Sequence, residues 1–234
     1  MANGAAFDHA VELARDNPEL DVGCHLVLVG GRSLLPGFQP LPGNVPEFLK
    51  RLACRQISPY DELRAQVEKI IASGIRPTHL DTHKHTHLTF PVLDAVARLA
   101  EEYRIRFVRR PFDFPLTGGA AIPWGKRAIS GGLQLLRSRF HSRLSRRGCR
   151  ITDHFAGFQL TGYLRTEELV DLIRSLPEGV TEFMCHPGYC TEELRASPTR
   201  LKESRERELE ALISSEVRSA VVESGVTVVR YRDL

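Results

Sequence analysis

No apolar run in the 234-residue sequence approaches the roughly 20 residues that a bilayer-spanning helix needs, so membrane-spanning helices are not expected. No CxxC pair occurs, and the five cysteines (Cys24, Cys54, Cys149, Cys185 and Cys190) are odd in number. That argues against a disulfide framework and a cysteine zinc knuckle, and predicts buried free thiols in a reducing compartment. The opening stretch "MANGAAFDHAVELARD" lacks a basic flank followed by an apolar core, so the expected location is the cytoplasm. A net charge of +3 is too small to suggest nucleic acid as a partner. Acidic residues are missing from 114 to 152, a stretch that holds Lys126, Arg127, Arg137, Arg139, Arg143, Arg146, Arg147 and Arg150. Leu133, Leu136, Phe140 and Leu144 lie there at helical spacing. The favoured reading of this basic segment (126–150) is a solvated cationic face over the core, and peripheral contact with an anionic membrane is the competing one.

What is present is an alternation of short apolar runs with longer stretches of helical period. "DVGCHLVLV" (21–29), "THLD" (78–81), "IRFVRR" (105–110), "ITDHFAGF" (151–158) and "TEFMCHP" (181–187) read as strands. "PYDELRAQVEKIIASG" reads as a helix that places Leu63, Val67, Ile70 and Ile71 on one face. "PVLDAVARLAEEY" and "TEELVDLIRSL" read the same way, the second with Thr166 as N-cap. Further helices are expected over about 123–147 and 199–224, and "VTVVRY" (226–231) follows. Strands alternating with helices predict an α/β fold of parallel strands in a single domain over residues 1–234.

Four of the nine histidines fall in "HLDTHKHTH" (79–87). In an extended chain His79, Asp81, His83, His85 and His87 would share one face at the C-terminal edge of a strand, where α/β active sites lie. Imidazoles with a carboxylate suit zinc or another borderline divalent ion. One ion that keeps an open position cannot take all four, so some must orient ligands or touch substrate. His25, in "GCHLVL", reads by itself as a core histidine or a ligand. His186, at a strand end before Pro187 and Gly188, suits acid–base work. Arg109 and Arg110 could clamp a carboxylate, and Asp153 with His154 reads as a further strand-end pair.

"DVGCHLVL", "RPTHLDTHKHTH" and "EFMCHPGY", in this order and spacing, resemble the YdjC-like carbohydrate deacetylases, also called the ChbG/HpnK family. The resemblance implies an irregular (β/α) barrel of the polysaccharide-deacetylase type and hydrolysis of an N-acetyl group on an amino sugar. It implies one divalent ion, Mg2+ or Zn2+, bound by an aspartate and two histidines, which by motif position are His25 and His83. His186 would be the general acid. Asp81, His79, His85, His87, Arg109, Asp153 and His154 remain as orienting or substrate residues.

The departure from the family is the Asp-Asp strand end that supplies its metal aspartate and base, because no Asp-Asp pair occurs in the 234 residues. Relative to the family the first βα unit is expected to be missing. An open strand edge would then favour burial against a partner, and a homo-oligomer is one form of that. The expected substrate is an N-acetylated amino sugar, either a chitooligosaccharide or a glycolipid-linked sugar such as one of hopanoid biosynthesis. Two alternatives stand beside it: another barrel metal hydrolase (phosphoesterase or amidohydrolase), and an inactive metal- or sugar-binding remnant.

Overall fold

The computed structural model describes residues 1–37, 39–116 and 122–234. In chain order the elements are α1 (Phe7–Asp16), β1 (Cys24–Leu26), α2 (Val45–Ala53), α3 (Pro59–Ala72), β2 (His79–Thr82), α4 (Phe90–Glu102) and β3 (Phe107–Val108). There follow α5 (Trp124–Leu133), α6 (Arg137–Ser145), β4 (His154–Ala156), α7 (Thr166–Arg174), β5 (Thr181–Phe183), α8 (Glu192–Ala196), α9 (Glu203–Ile213) and α10 (Ser215–Glu223). All strand pairing among the named strands is parallel, so the fold is α/β. The chain forms two compact units: residues 1–109, 138–151 and 229–234, and residues 110–137 with 152–228.

The first unit carries the sheet β1-β2-β3. Its core is built from Leu63, Val67 and Ile70 of α3 with Val92, Leu93, Val96 and Leu99 of α4, all buried. Ile71, expected on the same face as Leu63, is 38% exposed. A residue next in sequence to a core position is turned about 100° away from it on a helix.

The strand expected over 21–29 pairs only through Cys24–Leu26. Beyond Leu26 a side chain takes over from the ladder. The Val27 N–H donates to Gln66 Oε1 at 2.8 Å, and Gln66 Nε2 donates to the Val27 carbonyl at 2.7 Å. Gln66, on α3, is fully buried, so it satisfies both backbone groups where no neighbouring strand does.

The second unit carries β4 and β5, paired in register from His154↔Thr181 to Ala156↔Phe183. Its apolar cluster joins Leu169, Leu172 and Ile173 of α7 with Ala211 of α9 and Val217 and Ala220 of α10. The strand expected over 151–158 is cut to three residues. Gly157 has φ +129, and a Cβ there would stand 2.2 Å from the Met184 carbonyl oxygen. Only glycine fits a backbone approach that close.

The helix expected over 199–224 is two helices, because Ser214 ends α9 and its side chain accepts the Val217 N–H at 3.2 Å to start α10. The helix expected over 123–147 is α5 and α6 joined by a 3-10 turn (Gln134–Leu136). Thr166 is the first helical residue of α7 and not its cap, and 226–230 forms no strand. All five cysteines are free, but only Cys24 and Cys190 are buried, and Cys54 is exposed. Burial pushes the Cys24 thiol up to about 12, which makes it inert. No helix among the described residues is long and apolar enough to cross a membrane.

Candidate active site

The parallel register of the first sheet builds the candidate site. His25 on β1 pairs laterally with Asp81 on β2, so both side chains leave the same face of the sheet. On the other side of β2, His79 pairs with Phe107 and Leu80 with Val108. That brings Arg109, just past the end of β3, next to Asp81, and the Arg109 N–H donates to the Leu80 carbonyl at 3.0 Å. His25, Asp81 and Arg109 thus form one row across three strands at their C-terminal edge.

The row is wired by charge. His25 Nδ1 donates to Asp81, 2.9 Å from each carboxylate oxygen, and Arg109 Nη1 donates to Asp81 Oδ2. Asp81 is buried, and burial by itself pushes its carboxyl up. The Arg109 guanidinium and the His25 imidazole outweigh that and hold it well below the usual carboxylate range. Asp81 is therefore a fixed negative charge, and the carboxylate that Arg109 clamps is the protein's own.

With Nδ1 of His25 donating to Asp81, its Nε2 keeps a lone pair. That atom lies 3.4 Å from His83 Nδ1, with the two rings edge to face. Two nitrogens bound at 2.0–2.1 Å to one tetrahedral ion stand about 3.4 Å apart. The separation and the carboxylate behind His25 both fit two ligands of a divalent ion. No group of three or more His, Cys, Asp or Glu among the described residues makes a complete metal cluster.

Beyond Thr82 the shared face expected for the odd-numbered residues is lost. Residues 83–88 form a 3-10 turn in which Lys84 (φ 53) and His85 (φ 50) are left-handed. The three remaining histidines go separate ways. His79 stacks on Tyr231 at 4.2 Å, and its ring fills the space where a Cβ on Gly23 would sit. Burial drives His85 well below the usual imidazole range, with the neighbouring His87 adding to the effect. His87 is completely buried, so substrate cannot touch it.

His87 is a peg that holds the turn. Its Nδ1 accepts from Thr82 Oγ1 at 2.6 Å, its backbone N–H donates to the same oxygen at 3.1 Å, and its Nε2 donates to the Arg109 carbonyl at 3.0 Å. This set satisfies the neutral ring, and burial pushes its pKa down to about 4. Between pH 6.5 and 4 the unfolded chain takes up a proton on this histidine that the folded chain refuses. Folding stability must therefore fall as pH falls through that window, by about 2 kcal/mol at pH 5. Urea unfolding at pH 7 and pH 5 should show that drop, and it should shrink in His87→Gln. An equal drop in both proteins would contradict the assignment.

Asp81→Ala is expected to destabilise the first unit by about 3–5 kcal/mol, because it removes the carboxylate that neutralises Arg109 and orients His25. Thermal unfolding measures this, and a change within 0.5 kcal/mol, about the scatter of surface substitutions, would contradict the wiring described.

The second unit holds the other candidates. His186 is partly buried, with its Nδ1 3.9 Å from Glu208 Oε2, and its backbone N–H donates to the same carboxylate. Glu208 is 1% exposed, and its second oxygen, Oε1, has no hydrogen-bond partner among the described residues. Sequence reasoning missed Glu208 among many charges on α9. Ser204, Glu208 and Ala211, spaced i, i+4, i+7, are the buried stripe of that helix. A glutamate in such a stripe is the signal that could have found it.

Asp153 and His154 stand where β4 begins, not where it ends. Asp153 Oδ2 accepts the Val180 N–H at 2.9 Å, and His154 Nε2 donates to the Glu178 carbonyl at 3.1 Å. Both hold the turn before β5. Arg110 is buried and donates to the Thr152 and Asp153 carbonyls. Asp113, also missed, accepts the Phe158 and Gln159 N–H groups at 3.1 and 2.8 Å. Burial raises its pKa, and those bonds oppose the rise.

A family model described as "YdjC-like protein" matches residues 1–223. Carbohydrate deacetylases of Geobacillus stearothermophilus and Clostridium beijerinckii are 32% and 30% identical to the chain. Each alignment covers 100% of this chain and, respectively, 84% and 86% of the relative. The crystal structure of a proposed cellobiose-phosphate cleavage protein from Enterococcus faecalis V583 superposes with a TM-score of 0.73 at 23% identity. It covers 100% of this chain and 85% of that one, and shows a shared fold.

Proposed function

Because the chain belongs to the YdjC-like protein family, we propose that it is a carbohydrate deacetylase that hydrolyses the N-acetyl group of an amino sugar with the help of one divalent ion, Mg2+ or Zn2+. The observation that carries the reading is the pair His25 Nε2 and His83 Nδ1, 3.4 Å apart with Asp81 behind His25. These two nitrogens would hold the ion. When bound, it would polarise the acetyl carbonyl and acidify a water.

The reaction adds water across the amide: a C–O bond forms at the carbonyl carbon as the water gives up a proton to solvent, the C–N bond breaks, and acetate and a free amine leave. Asp81 keeps the proton of His25 on Nδ1, so that Nε2 stays a lone-pair donor. Arg109 keeps Asp81 ionised, so the acceptor that orients His25 is a carboxylate. By the family resemblance His186 would supply the proton that the departing nitrogen requires, from Nε2, and Glu208 Oε2 stands 3.9 Å from the opposite ring nitrogen. Glu208 is a positioning residue and His186 a catalytic one.

The test is to incubate full-length protein with N-acetylglucosamine oligomers and measure acetate and free amine together. Equal amounts of the two are expected. Release of phosphate from sugar phosphates, or opening of cyclic amides, without acetate would replace this reading with one of the other metal hydrolases. Sugar binding without any turnover would replace it with the inactive remnant.

A further inference from the structure

We propose that the outer face of Trp124–Arg137 is a docking surface for an anionic lipid bilayer, on which Trp124 and Leu135 insert as two apolar anchors. Trp124 is 83% exposed and Leu135 is 86% exposed, the two most exposed large apolar side chains among the described residues. Between them Ala128 and Gly131 are also exposed, and the four positions follow i, i+4, i+7 and i+11, the first three on one face of α5 and Leu135 in the 3-10 turn that continues it. Small residues in the middle leave the two large side chains standing proud, about 16 Å apart along the axis at 1.5 Å per residue.

The fold does not need these anchors. The segment is held from its other side, where Lys126 Nζ donates to the Thr161 carbonyl at 2.5 Å, Gln134 Nε2 to the Asp113 carbonyl at 2.8 Å, and Gln159 Nε2 to Ser130 Oγ at 3.2 Å. Ser130 is buried.

Charge selects the occupant. Arg127 and Arg137 are exposed on the same segment, and no Asp or Glu occurs from 114 to 152. A cationic surface with a protruding indole and a leucyl side chain suits the headgroup region of a bilayer, where tryptophan is favoured and each basic residue gains from anionic lipid. A protein partner would need a groove to receive two separated anchors, and a nucleic acid offers leucine nothing. The inference is independent of the reaction proposed above.

Trp124 is the sole tryptophan, so its emission reports on this surface directly. Vesicles of phosphatidylcholine with about 30 mol% phosphatidylglycerol should sediment the protein and shift its emission to the blue. Pure phosphatidylcholine vesicles should do neither. Leu135→Ser should weaken partition about tenfold with unchanged circular dichroism, and so should raising salt to about 0.5 M. Failure of the wild-type protein to sediment with the anionic vesicles would overturn the proposal. So would vesicle binding that Leu135→Ser leaves intact, or an equal blue shift with heparin, since either would mark a simple polyanion patch.

Discussion

Alanine in place of His83 is expected to weaken divalent-metal affinity more than about 100-fold, and to take acetate release to background. The reason is geometric. His25 Nε2 lies 3.4 Å from His83 Nδ1, and removing one of two converging donors leaves a single imidazole. Loss of a residue that only orients a ligand costs about 10–100-fold, so loss of a ligand must exceed that. Asp81→Asn supplies the comparison. It keeps an acceptor beside His25 but removes the charge, and its affinity should fall within the smaller range. Isothermal titration with Zn2+ separates the two. Equal affinity in His83→Ala and wild-type protein would remove His83 from the site.

His186→Ala is expected to lower kcat by about 10²–10⁴-fold, the usual worth of a positioned general acid, with KM changed little. Glu208→Gln should act more weakly, because it keeps an acceptor for the His186 backbone N–H and removes only the carboxylate that stands 3.9 Å from Nδ1. It should lower kcat by less than His186→Ala does, with KM unchanged. A Glu208→Gln enzyme with wild-type kcat would mean that the glutamate acts only as a support for the backbone at His186.

Much of the site was legible because strands advertise their ends. "THLD" and "GCHL" mark short strands, while the pairing of His25 with His83 rests on the family resemblance and not on the residues alone. The register that sets His25 opposite Asp81 was not legible, since strand pairing is decided by packing between segments more than fifty residues apart. The shared face assigned to His79 through His87 failed at Lys84 and His85. Positive φ in two successive non-glycine residues is imposed by the tertiary fold, and no residue there announces it. Asp153 and His154 were placed at the wrong end of β4, because an apolar run shows where a strand is but not which residue first pairs. Glu208 was hidden by its neighbours, as one acid among many on α9. The strand pairing expected over residues 27–29 is replaced by Gln66, a single side chain whose reach across from α3 the sequence does not display.

The central claim is that a divalent ion held by His25 and His83 serves deacetylation. The direct measurement is acetate release by full-length protein stripped with a chelator and then titrated with Zn2+ or Mg2+. Release should fall to background on stripping and recover to a plateau as one ion per chain is restored. Full activity in the stripped protein would contradict the account.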